Sequence, residues 1–148
     1  MSVDITGKEV VYREAIAEGR IILKPTTIEI IKRGLIEKGD VFESAKVSAF
    51  YAVKNTPYVL AYCHPIKITH ISFEYEISDN SILVRVLVKA IERTGVEMEA
   101  LMGVLTALAT IWDMVKKYEK DESGNYPSTK ITDVRIVRKV KRCLNNVP

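Results

Sequence analysis

Apolar residues recur along this chain first with a helical period, then with a period of two, then helically again, and each change of period predicts an element. The first clear signal is PTTIEIIKRGL, residues 25–35. There Thr26 or Thr27 can cap a short helix carrying Ile28, Ile31 and Leu35, with Gly34 near its end. In EKGDVFESAKVSAFYAVKNTP, Asp40 is followed three residues later by Glu43, a capping-box spacing in which each side chain satisfies a free backbone N–H of the first turn. A helix should therefore begin after Asp40. Its stripe of Val41, Ala45, Ala49 and Ala52, with Phe42 and Val53 alongside, is small enough to lie close on a sheet or a partner, and residues 54–57 end it.

After Cys63-His64-Pro65 the period changes. IKITHISFEYEI is rich in β-branched and aromatic residues, SDNS is a turn cluster, and ILVRVLVKAI is apolar at every second position from Ile82 to Ala90, so the pair reads as a β-hairpin. Residues 94–120 then form the longest helical run, with Thr94 or Gly95 at its start and lysines near its end to offset the helix dipole. DESGNYPST is a polar loop, and KITDVRIVRKVKR reads as a last, basic strand. This order argues for α+β, an antiparallel sheet with helices packed on one face.

Composition narrows the function classes. The 148 residues, 47% hydrophobic and 28% charged, fit one domain over 1–148 with a real core. A net charge of +3 is too small for a polycation that coats nucleic acid or an anionic membrane. No apolar run is read as approaching the ~20 residues of a membrane span, and MSVDITGKEV lacks the order of a secretory signal. Two cysteines cannot build a disulfide framework. A protein of a reducing compartment, the cytoplasm, is expected.

Charge interrupts the apolar pattern at few places. At about 100° per residue, Met98, Leu101, Met102, Leu105, Leu108, Ala109 and Trp112 share one stripe, read as core. Lys116 lies about five turns after Met98, in line with that stripe. Either it snorkels at the helix end, or it points into a pocket holding an anion, paired with Asp113, where burial would lower its pKa. Glu97 and Glu99 read as carboxylates at the positive helix end, and Lys38 sits on a turn beside the Asp40 cap. In the last strand, alternation places Arg135, Lys139 and Lys141 on one side and Arg138 and Arg142 on the other.

Cys63 and His64 lack the spaced ligands of a zinc site, because Cys143 is far along the chain, so no metal is expected. A cysteine nucleophile needs its histidine across a pocket rather than beside it on a strand. Cys63 is then packing, and His64, held by Pro65, is free to bind phosphate or move protons.

Taken together, KGDVF at 38–42, AVKNT at 52–56, CHP at 63–65, TGVEMEAL at 94–101 and TIWDMVK at 110–116 resemble the molybdenum cofactor biosynthesis protein C (MoaC) family, cyclic pyranopterin monophosphate synthase, over about residues 3–139. The resemblance implies a ferredoxin-like fold and dimers assembled into a hexamer, with the active site at the dimer interface. It implies conversion of a cyclised dihydro-GTP to cyclic pyranopterin monophosphate with release of pyrophosphate, without cofactor, nucleic acid or membrane. Carried over residue by residue, it makes Lys116, Asp113, Lys139, Lys38 and His64 catalytic. It places His64, Cys63, Lys38, Glu97, Met98, Glu99 and Arg13 against the substrate. Lys116 and Lys139 would do the acid/base work, Asp113 would orient Lys116, and His64, Lys38 and Arg13 would hold the triphosphate.

The chemistry suits cations. Forming a cyclic phosphate with pyrophosphate as leaving group requires stabilisation of developing negative charge, and no Walker loop is present to provide it. The family follows its last-strand lysine with a Gly-Gly-Lys-Ser-Gly loop where this chain reads VKRCLNNVP, so Lys141 or Arg142 is expected to take over any anion contact of that loop. The alternative is a non-catalytic ferredoxin-like module that binds a nucleotide or RNA. Phe73 and Tyr75 could share a face for stacking, but ILVRVLVKAI offers them no aromatic partner.

Overall fold

The computed structural model describes residues 1–148. In chain order the elements are β1 (Val11–Ile22), α1 (Pro25–Lys32), α2 (Val41–Lys54), the single turn α3 (Thr56–Val59), β2 (Ile68–Ile77), β3 (Ser81–Glu92), α4 (Glu97–Glu119) and β4 (Lys130–Arg142). The strands form one sheet in the order β2-β3-β1-β4, every neighbouring pair antiparallel. With α2 and α4 packed together on one face, this is the ferredoxin-like α+β arrangement expected.

β1 is central to the sheet, yet the apolar pattern did not announce it. Register and alternation turn Ala15, Ala17, Gly19 and Ile21 toward the helices and Tyr12, Glu14, Ile16, Glu18 and Arg20 to the other face. Small residues on one side and charges on the other conceal a buried strand. The charges are satisfied from the flanking strands: Glu18 accepts from Arg85 at 3.1 Å and from Arg135 at 3.0 and 2.8 Å. Small residues also set how closely α4 lies on the sheet. A Cβ built on Gly19 would stand 2.9 Å from Leu108 and Val104, and one on Gly103 2.9 Å from Val53 of α2.

Helix α4 corrects two expectations. Its buried face is Ala100, Gly103, Val104, Ala107, Leu108, Ile111, Met114 and Val115. Of the stripe read as core, only Leu108 is buried, Met98 and Leu105 are 41% and 40% exposed, and Ala109 is exposed. Both faces are apolar, and the face with the smaller side chains fits the sheet while the larger ones look outward. The helix is also long and apolar enough to span a membrane by length and composition, contrary to the sequence reading, but half of that stretch is buried against its own fold.

Local chemistry explains smaller differences. Asp40 caps α2, accepting from the N–H groups of Phe42 and Glu43, but Glu43 pairs with Lys46 rather than reaching back, so the capping box is half formed. Neither Thr26 nor Thr27 caps α1. Lys24 precedes Pro25 at the cap position, and Thr27 is buried and donates to Glu119. In β4 the pairing to β1 shifts register twice, with Asp133 at φ 56°. The shift carries Arg135 to the face of Arg138 and Arg142, opposite Glu18, instead of the face of Lys139. Phe73 and Tyr75 do share a face, but it is the helical side, where Tyr75 stacks on Phe42 at 3.7 Å between ring centroids.

Candidate active site

The residues singled out by sequence gather in two groups, one at each end of α4. At its start lies a cleft of about 400 Å³ lined by Arg13, Cys63, His64, Glu97, Met98 and Lys139, together with Val3, Ile5, Lys8, Tyr62, Thr94 and Gly95. β1 and β4 supply Arg13 and Lys139, α4 supplies Glu97 and Met98, and the turn after α3 supplies Cys63 and His64. That turn precedes β2, which begins only at Ile68, so Cys63 and His64 do not lie on a strand and both reach the cleft.

Within the cleft Lys139 Nζ lies 2.6 Å from Glu97 Oε1. Burial works against the Glu97 carboxylate, but the hydrogen bond and charge of Lys139, with the charge of Arg13, outweigh it and hold the pKa below the usual value. Gly95 makes room for this pair, because a Cβ there would lie 2.0 Å from Glu97 Oε2. The Arg13 guanidinium donates to the backbone carbonyls of Glu92 and Arg93 at 3.4 and 3.1 Å, which fixes it as a rigid wall.

Glu99 does not line the cleft. It is 1% exposed, one oxygen has no partner, and the other accepts from Cys63 Sγ at 3.6 Å. Burial raises the Glu99 pKa, with the charge of Glu97 acting in the same direction. Burial, then the neighbouring Glu99, pushes the Cys63 thiol up to about 11, so Cys63 is a thiol rather than a thiolate at neutral pH.

The second group lies near the end of α4. The loop from 33 to 40 turns through Gly34 at φ 67° and Gly39 at φ 110°, and it delivers Lys38 to Asp113. Lys38 Nζ donates to the Asp113 backbone carbonyl at 3.0 Å and to Oδ2 at 3.2 Å, while Lys116 Nζ donates to Oδ1 at 3.0 Å. The hydrogen bond from Lys116, then that from Lys38, holds Asp113 below the usual carboxylate range, and Asp113 in turn raises Lys116. Lys116 is therefore not a buried lysine with a lowered pKa. It is a half-exposed ammonium held protonated by its carboxylate.

One turn beyond Lys116, Glu119 is fully buried and accepts from Thr27, from Thr129 at 2.6 Å and from the Lys24 N–H at 3.1 Å. It ties the end of α4 to α1 and to the start of β4. Sequence reasoning missed it, although its place four residues after Val115 and eight after Ile111, on the buried face, was a readable signal. Lys8, Thr94 and Tyr62 were also missed, and no periodicity marks them. Lys141 and Arg142 continue β4 opposite Arg13 and Tyr12, and neither lines the cleft. No three His, Cys, Asp or Glu side chains come close enough together to share a metal ion.

Residues 2–141 match the model of the MoaC family. The chain is 55% identical over 139 residues to a protein of Sulfolobus acidocaldarius, covering 94% of this chain and 97% of the relative. It is 52% identical over 139 residues to one of Thermococcus kodakarensis, covering 94% and 89%, and 50% identical over 144 residues to one of Methanococcoides burtonii, covering 97% and 91%. Each relative is named a probable cyclic pyranopterin monophosphate synthase.

Proposed function

We infer that the chain, which belongs to the MoaC family, is a cyclic pyranopterin monophosphate synthase of molybdenum cofactor biosynthesis. Its substrate in this reading is the cyclised dihydro-GTP (3',8-cyclo-7,8-dihydro-GTP), from which a hydroxyl oxygen attacks the α-phosphorus and pyrophosphate departs. It works in the cytoplasm, as a hexamer built from three dimers.

The separation of the two groups along α4 supports this reading most. Neither group alone can both neutralise a triphosphate and move protons. In a two-fold dimer with the α4 helices antiparallel, the start of one helix lies beside the end of the other, and two complete sites form together. The outward apolar side chains of α4, Met98, Leu101 and Leu105 among them, suit the centre of such an interface. Both groups carry excess cation: Lys8, Arg13 and Lys139 against Glu97, and Lys38 and Lys116 against Asp113. A polyphosphate lying between them completes the charge balance.

Roles follow from the charges. Lys139, paired with Glu97 at 2.6 Å, exchanges a proton with the substrate in the cleft, and Glu97 orients it. Lys116, kept protonated by Asp113, is placed to give one as the purine ring opens or the pterin ring closes. His64, Lys38 and Arg13 hold the phosphates, and Met98 and Cys63 pack against the substrate. Glu99 acts from behind Cys63, fixing the turn that carries His64. The RNA-binding alternative loses its platform, because Phe73 and Tyr75 face the helices and the open face of β2 and β3 carries no Phe, Tyr or Trp.

The test is to incubate purified protein with the cyclised dihydro-GTP and follow pyrophosphate and the pterin product, beside Lys116→Ala. Product from wild type and loss of about 10²–10⁴-fold in the variant is the expected result. A folded wild type that forms no product would overturn the assignment.

A further inference from the structure

Four cationic or ionisable nitrogen-bearing side chains line the cleft: Lys8, Arg13, His64 and Lys139. Lys139 is already engaged by Glu97 at 2.6 Å. Arg13 is 7% exposed, and part of its guanidinium is already engaged by two backbone carbonyls, which leaves it other N–H donors for an anion. Lys8 differs from both. Its side chain is exposed, it forms no ion pair, and no hydrogen bond occupies its ammonium. Of the lysine and arginine side chains in the cleft, it is the one whose donors are all free.

The segment that carries Lys8 is attached in an unusual way. Val3 and Ile5 lie along the cleft, but the hydrogen bonds of the segment are internal: Thr6 N–H to Asp4 Oδ1 at 2.9 Å and Lys8 N–H to the Ile5 carbonyl at 3.0 Å. Val3 is itself 68% exposed. A stretch held by local turns and a little apolar contact can lift at small cost. An anion in the cleft would add charge-assisted hydrogen bonds from Lys8 and hold it down.

We propose that Lys8 binds the substrate's polyphosphate in this cleft and so closes residues 3–8 over it. The inference rests on the synthase reading, which makes a polyphosphate the ligand. Lys8 is a binding residue that sets affinity, and the proton transfers belong to other groups. It supplies an anion contact from the start of the chain, on the cleft where Lys141 and Arg142 do not reach.

Inorganic tripolyphosphate is the direct probe, titrated calorimetrically into wild type, Lys8→Ala and Lys8→Arg, with amide hydrogen exchange of residues 3–8 and steady-state turnover measured in parallel. Lys8→Ala should weaken tripolyphosphate binding and raise KM by about 10-fold or more, the scale of one charge-assisted contact, with kcat nearly unchanged. Lys8→Arg should retain most of the affinity. Tripolyphosphate should slow exchange in residues 3–8 of wild type and not of Lys8→Ala. Binding and KM unaltered in Lys8→Ala, with wild type turning over, would overturn the role of Lys8 and leave the synthase reading standing. A wild type that neither binds tripolyphosphate nor turns over would overturn both.

Discussion

Glu97 and Asp113 stand at opposite ends of one helix, roughly sixteen residues and so about 24 Å apart at ~1.5 Å per residue, and each holds a different lysine. Glu97 pairs with Lys139 from β4, and Asp113 with Lys116 from its own helix and Lys38 from the loop before α2. A rigid helix cannot fold these pairs together, so a site that uses both must draw on two copies of the chain.

Asp113 keeps Lys116 protonated, so Asp113→Asn should let the Lys116 pKa fall. If Lys116 donates a proton in turnover, the alkaline limb of the kcat profile should move to lower pH in the variant. The acid side has the opposite sign. The Asp113 pKa lies below its unfolded value of 3.8, so its ion pairs are fully formed above that pH and are lost only as pH falls through the lowered value. A pH profile of kcat for wild type and Asp113→Asn checks both limbs.

Glu99 has the reverse linkage. Its folded pKa is raised above the unfolded value of 4.5, so the folded state holds the proton more tightly and stability declines as pH rises above that value, levelling off beyond the folded pKa. Glu99→Gln mimics the neutral acid and should remove this slope. Thermal melts across pH 4 to 9 should show wild type losing stability relative to the variant. Parallel curves would contradict a Glu99 pKa raised by burial.

Glu119→Ala would leave the hydroxyls of Thr27 and Thr129 and the Lys24 N–H without their acceptor in the interior. A loss on the order of 3 kcal/mol is expected in denaturant unfolding. Glu119→Gln, which keeps one acceptor and the shape, should lose clearly less.

Gly103 tests the closeness of α2 and α4. Gly103→Ala gains about 1 kcal/mol of helix propensity, but its Cβ would stand 2.9 Å from Val53 and 3.1 Å from Val86, two stiff buried side chains that would have to shift, so a net loss is expected. Gly103→Val adds two methyls where no room exists and should cost about 1–3 kcal/mol, read as a lower Tm.

Most of this fold was legible in the pattern of apolar residues because most elements bury one ordinary face. Asp40 marked the start of α2, and the alternation from Ile82 to Ala90 marked β3. β1 was illegible because a strand between two neighbours can bury Glu18 when Arg85 and Arg135 flank it, and can pack Ala and Gly where a helix approaches. The α4 stripe was misplaced because both of its faces are apolar and only the sheet decides which one is buried. The residues that gather at the two ends of α4 were singled out through motifs and not through periodicity. Lys8 and Arg13 meet Lys139 only because β1 lies beside β4, a pairing of residues more than a hundred positions apart that no local pattern encodes.

The central claim is that each site takes its Lys139 group from one subunit and its Lys116 group from another. Mixing Lys116→Ala with Lys139→Ala under conditions that exchange subunits tests this most directly, with pyrophosphate release as the readout. In a mixed dimer one site carries both substitutions and the other carries neither, so random mixing should restore roughly a quarter of wild-type activity from two inactive parents. A mixture that stays as inactive as its parents, with subunit exchange demonstrated, would contradict the shared site.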